Sequence, residues 1–127
     1  MTIKEVSEKY DISAETLRYY ERVGAIPPVT RTAGGIRDYQ DTDISWVQLA
    51  KCMRSAGLPV EVLIEYLNLF RQGDSTIPQR LKLLTDQREA LLVQRNKINE
   101  MLEKLNYKIS RYESAVKTGK LTWDKED

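Results

Sequence analysis

At 127 residues, with 41% apolar and 31% charged side chains, the chain is long enough for one small core plus an extension and too apolar for wholesale disorder. A net charge of +1 does not announce a nucleic-acid partner, and one cysteine with no histidine excludes an internal disulfide and the usual multi-ligand zinc or copper site. No apolar run approaches the roughly 20 residues of a membrane span and MTIKEVSEKY lacks a signal peptide's pattern, so a cytoplasmic location without membrane contact is expected.

Thr2 followed three residues later by Glu5 has the form of a capping box, and Ile3, Val6 and Tyr10 recur at helical spacing, which predicts a short first helix. Asp11-Ile12-Ser13 interrupts it. Ser13 is a good N-cap for a second helix over 14–23, and Gly24 ends that helix in a left-handed conformation. Two helices joined by a tight turn make a helix-turn-helix candidate. Over 25–40, Pro27-Pro28 stop any helix and Gly34-Gly35 sits between short extended runs, a hairpin signal rimmed with Arg31, Arg37 and Tyr39 that reads as a wing. Asp41 or Thr42 is expected to cap a third helix reaching Ala56, with Gly57 ending it and Pro59 opening a fourth helix to Arg71.

Gln72-Gly73-Asp74-Ser75 is rich in breakers and places a boundary there. Ser75 or Thr76 is expected to cap the next helix, with Pro78 in its first turn. From Leu81 on, Leu84, Leu91, Ile98, Leu102, Leu105, Ile109, Tyr112 and Val116 follow alternating steps of three and four, the seam of a coiled coil, broken only by Arg88 and Arg95. A helix of roughly 40 residues extends about 60 Å. Each buried Leu or Ile is worth about 1.5 to 3 kcal/mol, so the stripe has a strong drive to find a partner, and the chain has no second long helix to supply one. A homodimer is expected, with Leu84, Leu91, Ile98, Leu102, Leu105, Ile109 and Tyr112 at the interface. The two seam arginines either select register, paired with Glu89, Glu100 or Glu103 of the other copy, or lay their stems along the seam and reach solvent. The expected organisation is mainly α: a winged helix-turn-helix DNA-binding domain over 1–72, a coiled-coil dimerisation helix over 73–117 and a short tail over 118–127, whose Trp123 packs against the body.

The second helix would enter a major groove by its exposed N-terminal face, where Thr16 and Arg18 reach base edges or phosphates and Tyr19 and Tyr20 offer a hydroxyl and a ring. A surface helix whose tyrosines complete a core is the competing reading. Residues 1–70 carry 8 basic against 10 acidic side chains, so a basic face must be made locally; 18–54 carry 6 basic and 4 acidic.

Taken together, TLRYYERVGAIPP, Arg31, GGIRDY and a helix carrying Arg54 and ending in GLP make residues 3 to 70 resemble the N-terminal domain of the MerR family of transcription regulators. The resemblance implies that Arg18, Arg31, Arg37 and Tyr39 contact double-stranded promoter DNA and that Arg54 contacts its backbone. Ile36 stands where the family commonly has an aromatic residue. An antiparallel dimer coil is also implied, as is activation by bending and untwisting an over-long promoter spacer so that RNA polymerase finds both elements aligned. Each extra base pair misaligns them by about 34°.

Many such regulators carry metal-binding cysteines or a large drug-binding domain, and neither kind of sensor is expected from these residues. Cys52, beside Lys51 and Arg54, is similar to the single cysteine of the aldehyde- and thiol-stress-responsive, AdhR/NmlR-like branch. Two readings stand: a sensor that reacts with an aldehyde, another electrophile or an oxidant, or a small core residue. No motif joins a nucleophile to its base, so neither an enzyme nor a cofactor is expected. A coiled-coil adaptor and an architectural DNA-binding protein without an inducer remain the alternatives.

Overall fold

The computed structural model describes residues 1–123. Among them the chain forms five α-helices and no strand: α1 (Ile3–Tyr10), α2 (Ala14–Val23), α3 (Asp41–Ser55), α4 (Val60–Arg71) and α5 (Ile77–Thr118), with a 3-10 turn at Asp74–Thr76 before α5. Two compact units divide after Gln87. No helix among the described residues is long and apolar enough to cross a membrane.

Local chemistry sets the ends of α1 and α2. The Thr2 hydroxyl accepts the Glu5 N–H (3.1 Å) while the Glu5 carboxylate accepts the Thr2 N–H (2.9 Å), completing the expected capping box. Ser13 caps α2 by accepting the Thr16 N–H (3.0 Å), and Gly24, at φ 83°, closes it. The start of α3 departs from expectation by a residue. Asp41 and Thr42 lie inside the helix; Gln40 is the cap, and the Asp43 carboxylate reaches back to its N–H (2.9 Å).

Val6, Ile12, Leu17, Tyr20, Ala25, Ile26, Val29, Tyr39, Ile44, Val47, Ala50 and Leu63 form one buried cluster from α1, the α1–α2 turn, α2, the connection to α3, α3 and α4. The helix-turn-helix is therefore held by long-range packing, as helices this short require. The Met1 amine adds a tie, donating to the Tyr39 carbonyl (2.8 Å) and to Asp38 (3.2 Å).

The wing is smaller than a hairpin of two short strands. A single antiparallel bridge joins Arg31 and Arg37, and the tip is closed by the Thr32 N–H to the Ile36 carbonyl (2.8 Å) and the Gly35 N–H to the Thr32 carbonyl (2.9 Å). Gly35, at φ 83°, supplies the left-handed residue the turn requires. Pro27 and Pro28 lack the N–H that a longer ladder would use.

Thr76 stands just before α5, yet its hydroxyl serves α4. It is buried (4% exposed), contacts the carbonyls of Leu69 (2.5 Å) and Gly73 (2.8 Å), and accepts from Arg80 Nε (3.1 Å). Arg80 also lies over the Phe70 ring, 5.5 Å from its centroid, and Phe70 meets Trp46 edge-on at 5.1 Å. The α4–α5 corner is thus fastened on both polar and aromatic sides.

Along α5 no residue is buried. Ile98, Leu102, Leu105, Ile109 and Tyr112 are between 46% and 56% exposed, Leu84 is 37% exposed and Leu91 is half-buried. Arg88 pairs with its own neighbour Glu89 (3.3 Å). Past Thr118 the chain turns at Gly119, φ 75°, and Trp123 comes back against Tyr112 (6.1 Å between ring centroids) and Tyr107 (6.4 Å), while Arg111 donates to Thr122. The tail so packs on the last turns of α5; residues 124–127 of it lie outside the described residues.

Candidate nucleic-acid interface

α2 presents an uneven face. Its 3.6-residue period puts Leu17 and Tyr20 in the core and leaves Arg18 and Tyr19 outside. Arg18 is exposed and has no ion pair among the described residues, so its whole guanidinium fork is available. Tyr19 is 36% exposed, with Arg22 over its ring at 5.4 Å. The Thr16 hydroxyl oxygen accepts from Ser13 (2.7 Å), which fixes it at the first turn of the helix.

Two expected contacts are corrected. Tyr20 is only 7% exposed and completes the core with Leu17, so its ring is not a surface against which a backbone could pack. Tyr39 is 1% exposed, and its hydroxyl is buried without a hydrogen-bond partner among the described residues. Burial pushes the phenol's pKa up, against the lowering effect of Arg37 and Arg18. In both cases the long-range fold claims a ring that local sequence leaves open.

The wing arginines are held by an acid in α2. Glu21 accepts from Arg37 Nε (2.7 Å) and from the Val29 N–H (2.9 Å), and lies 3.5 Å from Arg31. Arg31 also donates to the Gly35 carbonyl at the wing tip (3.1 Å). Exposure rises from Glu21 (11%) through Arg37 (23%) to Arg31 (43%), so the carboxylate sits beneath the two guanidinium groups. Ile36, 67% exposed, stands at the tip as an apolar point. The sequence reading missed Glu21, whose partner Arg37 lies 16 positions away, beyond the reach of any local spacing signal.

Burial works to raise the Glu21 pKa, but the Arg37 hydrogen bond, the Val29 N–H and the charges of Arg37 and Arg31 outweigh it, leaving the carboxyl below the ordinary 4.5. A depressed carboxylate contributes stability that is present above its unfolded pKa and lost as pH falls through the folded one. Urea unfolding of Glu21→Gln beside the unmodified protein should therefore show a stability gap at pH 6 that closes on acidification below 4.5. A gap independent of pH would mean the ion pairs contribute nothing.

Arg54 lies in the last turn of α3 and donates to the Leu58 carbonyl (2.7 Å), which closes the α3–α4 turn and leaves its remaining N–H groups without a partner among the described residues. Cys52 is exposed on α3, so it is not a core residue. It lines an open hollow with Lys9, Tyr10, Asp11, Gln48, Lys51 and Ser55, and the Lys51 ammonium is engaged by the Tyr10 carbonyl. Among the described residues no cluster of His, Cys, Asp or Glu could hold a metal ion.

Comparison with known proteins places this arrangement. Residues 1–69 match the MerR HTH family regulatory protein model. The HTH-type transcriptional regulator AdhR of Bacillus subtilis is 52% identical over 92 residues, a match spanning 72% of this chain and 66% of that protein, just under two thirds of its length. A putative MerR family transcriptional regulator from Listeria monocytogenes superposes with a TM-score of 0.88 at 42% identity, covering 94% of this chain and 90% of the other. HiNmlR, described as a MerR family regulator lacking the sensor domain and solved bound to promoter DNA, superposes with a TM-score of 0.82 at 32% identity over 93% of this chain and 94% of its own. With its helix-turn-helix, its wing and the match over 1–69, the chain belongs to the MerR HTH family of regulatory proteins.

Proposed function

We propose that the protein binds double-stranded promoter DNA as a homodimer and activates transcription by distorting the spacer between promoter elements. The observation that carries this reading is the placement of a free Arg18 on α2 and of Arg31 and Arg37 on the wing, the latter two resting on one carboxylate. Arginine's planar fork suits phosphate, and contacts from two heads give a steep salt dependence. Likeness to a regulator solved on promoter DNA supports the same partner. The head is assigned to residues 1–72 and the dimerisation helix to 73–117. Two α5 seams, brought together in antiparallel fashion, join two heads in one molecule, and bending a site costs several kcal/mol by the order of magnitude of duplex stiffness. RNA polymerase is the partner that reads the realigned elements.

Exposure of Cys52 favours the sensor reading. In this proposal the thiolate sulfur adds to an aldehyde's carbonyl carbon, the carbonyl π pair takes up a proton, and the resulting hemithioacetal adds bulk on α3. Footprinting on promoter fragments from the gene's own neighbourhood, with and without an aldehyde, tests both levels. A protected spacer, with aldehyde-dependent transcription that Cys52→Ala abolishes while protection persists, is the expected result. Absence of any protected site would sink the DNA reading, and a Cys52→Ala protein that still responds would remove the sensor alone.

A further inference from the structure

An acidic residue beneath a phosphate-binding surface should, on charge alone, oppose binding. Glu21 is such a residue, and its geometry gives it another part. Its carboxylate accepts Arg37 Nε at 2.7 Å and the Val29 N–H at 2.9 Å and faces Arg31 at 3.5 Å, so one side chain of α2 reaches the start of the wing segment and both arginines that flank its tip. At 11% exposure it is not itself placed to meet a duplex. Arginine has five N–H donors, and use of Nε by Glu21 leaves both terminal nitrogens of Arg37 unclaimed by any ion pair or hydrogen bond among the described residues.

We propose that Glu21 is a positioning residue for DNA binding, which docks the wing on α2 and turns the terminal N–H groups of Arg37 toward phosphate. This rests on the DNA-face reading given above. Two effects compete. Repulsion between Glu21 and a phosphate on the far side of the guanidinium, at about 7 Å in a water-like medium, weakens binding by less than about threefold. Fixing two long arginine side chains before the encounter removes an ordering cost that corresponds to about tenfold or more in affinity. Positioning therefore outweighs repulsion, and removal of a negative charge from this face should weaken binding to a polyanion.

The test measures affinity and its salt dependence on one promoter duplex, below the melting temperature of every variant, for the unmodified protein, Glu21→Gln, Arg37→Ala and the double variant. Glu21→Gln is expected to bind about tenfold more weakly with a shallower salt slope, because Arg37 no longer meets its phosphate reliably. In the Arg37→Ala background the same change should have an effect of about threefold or less, in either direction. Glu21→Asp, which keeps the charge but withdraws it from Arg37, should also weaken binding, and it carries the comparison should Glu21→Gln fail to melt cooperatively. Glu21→Gln binding as tightly as the unmodified protein or tighter, or losing the same factor with and without Arg37, would overturn the proposal. If Arg37→Ala itself leaves affinity and salt slope unchanged, the DNA-face reading fails, a separate outcome.

Discussion

Replacing Leu102 and Leu105 together with aspartate is expected to convert the protein to monomers and to weaken promoter binding by about a hundredfold or more. The two residues are adjacent seam positions, 48% and 54% exposed in the single chain, so neither helps to fold the head. In a paired coil each would be buried, and a carboxylate there would be desolvated without a partner. Loss of the dimer turns a two-headed encounter into two independent ones, and linked sites gain about 10² to 10⁴ in overall affinity. Light scattering gives the mass, gel shift gives the affinity, and the head's thermal unfolding should be unmoved. A variant that stays dimeric and binds as before would show that the seam is not the interface.

The second large effect is expected from Arg18→Ala combined with Arg37→Ala. Arg18 contacts no acid among the described residues and neither arginine is a member of the core cluster; Arg37→Ala also removes the Glu21 ion pair, so the melting of the variant is followed beside its affinity. Charge-assisted hydrogen bonds are worth about 1.5 to 3 kcal/mol each, and two copies lose both, so affinity should fall by at least about a hundredfold. The salt slope should flatten by about three to four, near 0.9 for each of the four phosphates no longer neutralised. An unchanged slope with weakened binding would place the phosphate-binding groups elsewhere and make the loss one of fold.

How much of this could be read from sequence depends on the range of the interaction. Thr2 with Glu5, Ser13 and Gly24 act within four residues of the backbone groups they satisfy, and α1 and α2 have the expected bounds. Gln40 in place of Asp41 or Thr42 is a local error of the same kind: Asp43 decides the start of α3 by reaching back to a residue that is itself an unremarkable cap. Thr76 was legible as a polar residue before a helix, but not as one facing backward to Leu69 and Gly73.

The site was legible in its exposed arginines and illegible in what lies under them. Arg18, Arg31, Arg37 and Arg54 are all at the surface or partly so, as their charge requires. Tyr20 and Tyr39 have both an apolar ring and a hydroxyl, and only the assembled core decides which wins; here the ring does. Glu21 pairs with a residue 16 positions away, a separation at which no periodicity speaks. Cys52 shows the reverse case: of the two readings the sequence left open, sensor or small core residue, its exposure on α3 removes the second.

Two joined heads are the claim on which the rest stands, and sedimentation equilibrium of the unmodified protein tests it most directly. At concentrations that fully protect the promoter, a two-copy regulator sediments as one species of about twice 14.7 kDa. A species of 14.7 kDa that still gives full protection would contradict it.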